Sequence, residues 1–483
     1  MTIAQQQDVT AAQGETGLSG AQRRCIDELA SRMRVRADDV RRRNSHFPRR
    51  IAESRSWANF HPALKELLDP VVIERAAGAL AWDTAGRAFT DYCMGLGVHF
   101  FGHSPEFVTE AVRRQLARTY SIGHQVAQTY ELADQLCRIT GHDRVTFCCT
   151  GSEAVLGAMR LARLATGRQK IAYFRRSYHG LSDVVLATEA SAKAGSAPHY
   201  PRWLSPAAAS EAIVLPYGAE SALDALRAQA ADIAAVLVEP VQNRDISVQP
   251  RGFLHRLREL ATATGMVLIF DEMITGFRIG LRGAQGYFGV QSDLATYGKI
   301  LGGGLPIAAI AGTADLMDGM DGGSWGYEDD SAPTGQAVVF GGTFQKHPLA
   351  MSAASAVLSY LETRGEELYT EVNGRAAAAV AALDKLFTEE GLPYSTAAFG
   401  SMWRIEDHGP PDLRQPLQFD MLCHSLLAEG IYVWKGRSFF LSTAHNDAHV
   451  DDLLSAVRRS IARLRAAEFL PLPSGQDTVG SRG

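Results

Sequence analysis

The residues best suited to chemistry stand in the stretch 266–306, MVLIFDEMITGFRIGLRGAQGYFGVQSDLATYGKILGGGLP. The apolar run 266–270 reads as a buried strand, and Asp271 and Glu272 follow at its carboxyl end, where a parallel sheet usually keeps its site. Residues 293–297, DLATY, read as a second short strand that delivers Gly298 and Lys299 into a turn ahead of Gly302, Gly303 and Gly304. An acid and an amine then face one crevice. That pair suits pyridoxal phosphate held as a lysine Schiff base, with an aspartate beneath the pyridine nitrogen. The aspartate keeps that nitrogen protonated, so the ring accepts the electrons left when a bond at the substrate's α-carbon breaks. Asp271 and Lys299 match the two roles. An Asp and a Lys at strand ends also form ordinary solvated ion pairs worth about 1 kcal/mol or less, so the pair alone leaves both readings open.

A second constellation points to an anion. Residues 145–149 read as a strand that ends in Thr150, Gly151, Ser152 and Glu153, and a helix follows over 154–166. A strand, a tight turn and a helix start make a phosphate cup, because free backbone N–H groups and the positive helix end face the anion while a hydroxyl adds a donor. Ser152 as an ordinary N-cap is the bland alternative; beside the lysine stretch, the cup is the favoured reading.

The longer pattern resembles a family. FDEMITGFR, RGAQGYFGV, DLATYGKILGGGLP and GGTFQKHPLAM are similar to class III pyridoxal-phosphate aminotransferases, particularly the branch containing glutamate-1-semialdehyde aminomutase, over roughly residues 62–466. Within that branch HPALKELLDP, DYCMGLGVHFFGHSP, DGGSWGYEDDS and GTFQKHPL look most like aminotransferase domains embedded in polyketide and nonribosomal peptide assembly lines. The resemblance implies a fold-type I α/β enzyme: a large domain with a mostly parallel mixed sheet flanked by helices, plus a smaller α+β domain. It implies Lys299 and Asp271 as catalytic residues, with Thr150, Gly151 and Ser152 at the cofactor phosphate, Met273 beside the cofactor, and Tyr178 stacked on its ring with His179 supporting that face. Glu239 at a sheet edge and Gln242 near the phenolic oxygen complete the set. Thr343 in the family reaches the phosphate of the neighbouring subunit, which implies a homodimer with shared sites; a Thr after two glycines is otherwise only a turn residue. Asn243 and Arg244 depart from the aminomutase pattern.

The elements that must position these groups follow the same order. Residues 1–20 read as a polar, disordered lead-in and 21–43 as a charged helix of an N-terminal extension (1–45), either a cap on the fold or a docking element. The small domain starts over 46–120 with a hairpin in 72–92 around the turn 83–86, and then the glycine-rich passage 91–105. That passage carries His99 and His103, read as packed histidines more than as acid–base groups. A helix at 106–118 ends that part, and a large cofactor domain follows over 121–374, with a helix at 130–140 near its start, strands at 171–174 and 233–238, and a surface loop at 187–206. A long loop at 321–337 reads as functional or interfacial. Helices at 349–362 and 366–389 lead to a second lobe (375–470) with strands at 401–405, 431–434 and 439–442, and a tail at 471–483. There Arg404 and Arg437 are the arginines placed to meet an acidic substrate group, a surface role being the alternative for each.

Composition narrows the class. The chain has 483 residues, net charge -5 and six cysteines without CxxC or CxxH spacing, which points to reduced cytoplasmic thiols and to neither zinc nor a disulfide framework. The acidic balance argues against nucleic acid, the clusters 41–43 and 49–50 reading as solvated or contact surfaces. No secretory start and no run near the ~20 apolar residues of a membrane span is present. The expected partners are an amino-acid donor, a carbonyl acceptor (aldehyde or β-keto), and an acyl carrier protein as the acceptor's carrier. Two other functions compete: an aminomutase that moves nitrogen within one five-carbon substrate, and a non-catalytic nucleotide-binding protein whose Gly302 run cradles a phosphate, a reading that no GxxxxGK[ST] supports.

Overall fold

Runs such as IAAVLV and the VLIF that precedes Asp271 are apolar at every position, so they are expected to lie in a sheet covered on both faces. In the computed structural model, which describes residues 17–34, 52, 60–68, 71–120, 124–187, 202–408, 415–434 and 438–471, they do. The central sheet takes β4 (Arg144–Cys148), β5 (Lys170–Phe174), β6 (Ala212–Leu215), β7 (Ile233–Val238), β8 (Val267–Asp271), β9 (Leu294–Tyr297) and β10 (Ala308–Gly312). Their order is β4-β10-β9-β8-β7-β5-β6, and only β10 runs antiparallel to its neighbours. All residues of β7 and β8 are buried, each large aliphatic side chain contributing about 1.5–3 kcal/mol on leaving water. The fold is that of a fold-type I α/β enzyme with a mixed, mostly parallel sheet.

Helices cover both faces. On one lie α2 (Glu106–Arg118), α3 (Gln128–Thr140), α5 (Glu220–Ala228) and α6 (Arg251–Thr264), within the cluster that includes Phe253, Leu257 and Leu136; on the other, α4 (Gly151–Thr166) packs Met159 and Leu161 with Ile310. The chain from Pro348 to Glu389 forms α7, broken at Gly365 (φ 55, ψ -149), a conformation open essentially to glycine. The two sequence-derived helices are thus both present and meet at a kink at Gly365. Residues of α7 as far as Val372 join the core under the sheet, and those from Ala376 join a separate core.

That second core is the smaller lobe, with β11 (Tyr394–Phe399), β12 (Met402–Asp407) and β14 (Phe439–Phe440) in one sheet, and α8 (Gln415–Ala428) and α9 (Asp447–Ala466) against it. The strands expected at 431–434 and 439–442 do not share a sheet: β13 (Ile431–Tyr432) pairs in parallel with β3 (Ala88–Asp91), beside β2 (Leu80–Asp83) and β1 (Ile73–Ala77). Two-residue strands carry too little pattern to choose a partner.

The N-terminal helix α1 (Gly20–Arg34) packs on its own chain. Cys25, Ile26, Leu29 and Ala30 are buried in the second lobe's core, and Arg32 pairs with Glu429 (3.4 Å). It is the cap of the two alternatives over its described length. The lead-in 1–16, the helix expected beyond Arg34, most of the loop 187–206, and Arg437 lie outside the described residues.

Candidate active site

The carboxyl ends of β4, β5, β7, β8 and β9 point to one side of the sheet, and each delivers part of the site. Asp271 is the last residue of β8 and is buried. Its Oδ1 accepts from the Met273 amide (3.1 Å) and the Thr296 hydroxyl (3.3 Å), and its Oδ2 lies 2.8 Å from His179 Nδ1. His179 is itself buried, and its Nε2 has no partner among the described residues. The carboxylate is thus held by strand, loop and imidazole together.

Lys299 follows β9 through Gly298 and sits in the left-handed region (φ 46), a strained setting for a non-glycine residue. Burial pushes its amine below the usual lysine range and Arg278 pushes the same way, against the pull of Asp271 and Glu239. An amine so placed spends more time neutral near pH 7 and can act as a nucleophile or base. Met273 ties the lysine turn to the anion turn: a Cβ on Gly298 would meet its sulfur at 2.7 Å and one on Gly151 at 2.9 Å.

The anion turn starts earlier than the sequence suggested, with α4 beginning at Gly151. Thr150, rather than Ser152, is the N-cap: its hydroxyl accepts from the Glu153 amide (3.3 Å), while Glu153 Oε2 accepts from the amides of Cys149 and Thr150 (2.8 Å each). This capping box leaves the Gly151 and Ser152 amides, at the positive end of a long helix, for an anion. Ser152 packs on Gly180, where a Cβ would fall 2.6 Å from its hydroxyl.

Glu239 is a positioning group. Buried after β7, its Oε1 accepts from the Tyr178 amide (2.9 Å) and its Oε2 from the Asn243 amide (2.9 Å), and burial raises its carboxyl above the ordinary range. It therefore sets Tyr178, whose ring is 49% exposed in the single chain. Gln242 donates its side-chain N–H to the Arg175 carbonyl (2.8 Å), which leaves its oxygen as the atom to face a ligand. Thr343 is exposed on the single chain, in the loop before α7.

Two readings change. Glu272, the second acid, turns away from the crevice: it accepts from the Thr275 hydroxyl and the amides of Ala284 (3.0 Å) and Gln285 (2.8 Å), and burial lifts its carboxyl to about 7. The Gly302 run is no phosphate cradle, since a Cβ on Gly303 would meet Val108 and Val357 at 3.0 Å; it lets α2 and α7 close on the lysine turn. The glycine-rich passage is a left-handed turn in which Met94, Gly95, Leu96 and Gly97 all have positive φ (44, 63, 60 and 88°).

Two residues hold that turn. Asp91 Oδ1 accepts from the Cys93 and Met94 amides (2.7 and 2.9 Å) and its Oδ2 meets His103 Nε2 (2.8 Å). Arg278, fully buried, donates to the carbonyls of Gly97 and Ile274 and to Ser401 (3.1 Å). His103 is thus a structural histidine; the His99 ring lies against it, tilted by 43° with centroids 4.5 Å apart, and burial depresses His99 to about 4. Sequence inspection passed over Arg278, whose partners come from distant segments. Arg404 lies on β12 in the second lobe.

A phosphorylated pyridine fits this set: donors at the start of α4 for a phosphate, Asp271 for a ring nitrogen, Tyr178 for a ring face, Lys299 for an aldehyde. Among the described residues no cluster is suited to hold a metal ion. The model of the class-III aminotransferase family matches residues 63–459. Among solved structures, a transaminase with PLP bound is 25% identical with a TM-score of 0.76, over 88% of this chain and 98% of that one. A beta-phenylalanine aminotransferase from Variovorax paradoxus is 27% identical with a TM-score of 0.75, over 92% and 98%. A glutamate-1-semialdehyde aminomutase from Pseudomonas aeruginosa PAO1 shares the fold at 23% identity and a TM-score of 0.76, over 93% and 100%. With a family match across most of its length and a lysine and aspartate on adjoining strand ends, the chain belongs to the class-III aminotransferases, enzymes that use pyridoxal phosphate.

Proposed function

We propose that the protein moves an amino group from an amino-acid donor to an aldehyde or β-keto acceptor on an acyl chain in natural-product biosynthesis. The observation that carries the transfer itself is the desolvated Lys299 amine beside the buried Asp271–His179 pair. When bound, pyridoxal phosphate supplies the electron sink for the α-carbon. Lys299 takes and returns the α-proton, Asp271 keeps a proton on the ring nitrogen, and His179 holds Asp271 in register. The Gly151 and Ser152 amides and the Ser152 hydroxyl hold the phosphate, with Thr150 as their cap. Tyr178, set by Glu239, covers the ring, Met273 packs beneath the turns, and Gln242 turns its free oxygen to the ligand.

The acceptor's nature rests on the likeness of HPALKELLDP, DGGSWGYEDDS and GTFQKHPL to assembly-line aminotransferase domains, which favours a chain carried by an acyl carrier protein. The working unit on this reading is a cytoplasmic homodimer with Thr343 completing the partner's phosphate site. Its support is the pair of exposed apolar side chains that flank Thr343 in the chain, Val339 and Phe344, which are 87% and 66% exposed on the single chain. The domain limits proposed are 1–45, 46–120, 121–374, 375–470 and 471–483. No helix among the described residues is long and apolar enough to cross a membrane.

The test is half-reaction spectroscopy. The purified holoprotein should show a visible band that borohydride removes, leaving the pyridoxyl mass on the peptide containing Lys299. A panel of amino acids should bleach the band, and carrier-bound carbonyl acceptors should restore it. Nitrogen-15 from the donor appearing in a different molecule supports transfer; retention within one five-carbon substrate would make the protein an aminomutase instead.

A further inference from the structure

The loop 242–245, immediately beyond Glu239, is held from several directions for no purpose the transfer itself explains. Gln242 and Asp245 bridge each other, and Gln242 also donates to the Arg175 carbonyl (2.8 Å). Asn243 is fixed at its amide by Glu239 (2.9 Å) and at its carbonyl by the Ser438 hydroxyl of the second lobe (2.9 Å). Arg176 donates to the Arg244 carbonyl (2.7 Å) and to Asp245 Oδ2 (2.8 Å). That last contact removes the loop's own acid as a partner for Arg244.

What the clamp presents is the Arg244 side chain. Its guanidinium carbon lies 5.7 Å from the centre of the Tyr178 ring, over the ring, and it meets no carboxylate among the described residues. A guanidinium over an aromatic face keeps its edge N–H groups free, and those are spaced to grip a carboxylate with two parallel hydrogen bonds. Beside it the Asn243 side-chain oxygen is buried without a partner among the described residues, a second polar atom facing no protein group. Such an atom is costly unless a ligand or water meets it.

We propose that Arg244 recognises the carboxylate of the substrate at the mouth of the site, with Tyr178 as its platform. This rests on the aminotransferase reading for what the substrate does, but not for whether a carboxylate binds. A loop tied to Glu239, and through it to Tyr178, keeps the guanidinium at a constant position relative to the ring that Tyr178 covers. On this assignment an amino acid gains a contact that an amine of the same shape without the acid lacks.

Binding and transfer separate the possibilities. Calorimetry of the holoprotein with butanoate and with its neutral analogue butanamide should show the acid binding at least tenfold more tightly. Arg244→Gln should weaken butanoate about 10–100-fold and erase the difference between the two, and Arg244→Lys should recover part of it. In turnover, the ratio of kcat/KM for an amino acid to that for the matching decarboxylated amine should fall by a similar factor in Arg244→Gln. Equal binding of acid and amide by the wild type, or unchanged butanoate affinity in a folded Arg244→Gln, overturns the assignment whatever the protein does to amino groups. Inorganic phosphate binding in place of butanoate would also overturn it. Discrimination by charge without any amino transfer would leave Arg244 as assigned and remove the transfer reading alone.

Discussion

Replacing Asp271 with Asn keeps the shape of the side chain and removes its charge. The amide oxygen can take over the bonds from the Met273 amide and the Thr296 hydroxyl, and the amide nitrogen then faces His179 Nδ1. That arrangement requires the imidazole to carry its proton on Nε2, an atom with no partner among the described residues, so a modest stability loss of about 1–3 kcal/mol is expected. The functional loss should be larger. A preorganised charge in a site closed to water is worth about 2.7–4 kcal/mol at the transition state, which at 1.36 kcal/mol per tenfold gives roughly 10²–10³ in rate. The same change removes a group that raises the Lys299 amine, leaving burial and Arg278 to depress it further, so the acid limb of the pH profile should move to lower pH. Stopped-flow absorbance of the bound cofactor during a single amino-donor half-reaction reads the rate, and the cofactor content of the purified variant reads retention. A variant that holds its cofactor and reacts within about threefold of the wild-type rate would refute the role given to Asp271.

Lys299→Ala should abolish turnover and still bind cofactor without a covalent bond, since the Gly151 and Ser152 amides and Ser152 remain; more than trace transfer would remove the lysine from its role. Thr343→Ala should weaken cofactor retention about 10–100-fold through one charge-assisted hydrogen bond. Mixing Lys299→Ala with a Thr343→Trp variant should restore about a quarter of wild-type activity after random exchange, because half of the dimers are mixed and each has one intact site when the hydroxyl crosses the interface. No recovery despite proven exchange would place Thr343 elsewhere. Acid should destabilise the fold, because burial depresses His142 to about 4 and His445 to about 3, well below their unfolded values. Groups with depressed basicity bind fewer protons folded than unfolded, so stability present above about pH 6.5 is lost as the pH falls toward 4, by up to ~3 kcal/mol per histidine. Melting temperature should fall between pH 7 and pH 5, and His142→Gln should flatten that slope; a slope unchanged in the variant would contradict the assignment for His142.

The sequence by itself determined what is local or continuous. Runs such as 233–238 and 266–270 are apolar throughout and read as covered strands, and helix 106–118 follows from a 3.6-residue period with an acid at its start and an arginine at its end. Asp271 and Lys299 were legible because one ends an apolar run, the other follows a short strand through a glycine, and their strands are neighbours in chain order as well as in the sheet. Tertiary structure decided whatever depends on partners far apart in the chain. Asp271 and Glu272 are adjacent acids of the same chemistry, yet the donors brought by 284–285 draw one into the scaffold and leave the other to His179. The histidines of the glycine-rich passage were settled by Asp91, and Arg278 became a clamp only when Gly97 and Ser401 came to it from the two ends of the chain. Arg244 could be noticed as a departure from a pattern, but that it lies over Tyr178 with no carboxylate partner among the described residues, Asp245 pairing with Arg176, is visible only in the fold. Hydrogen-bond partners are assigned by where the chain closes on itself, and single-residue composition does not contain that information.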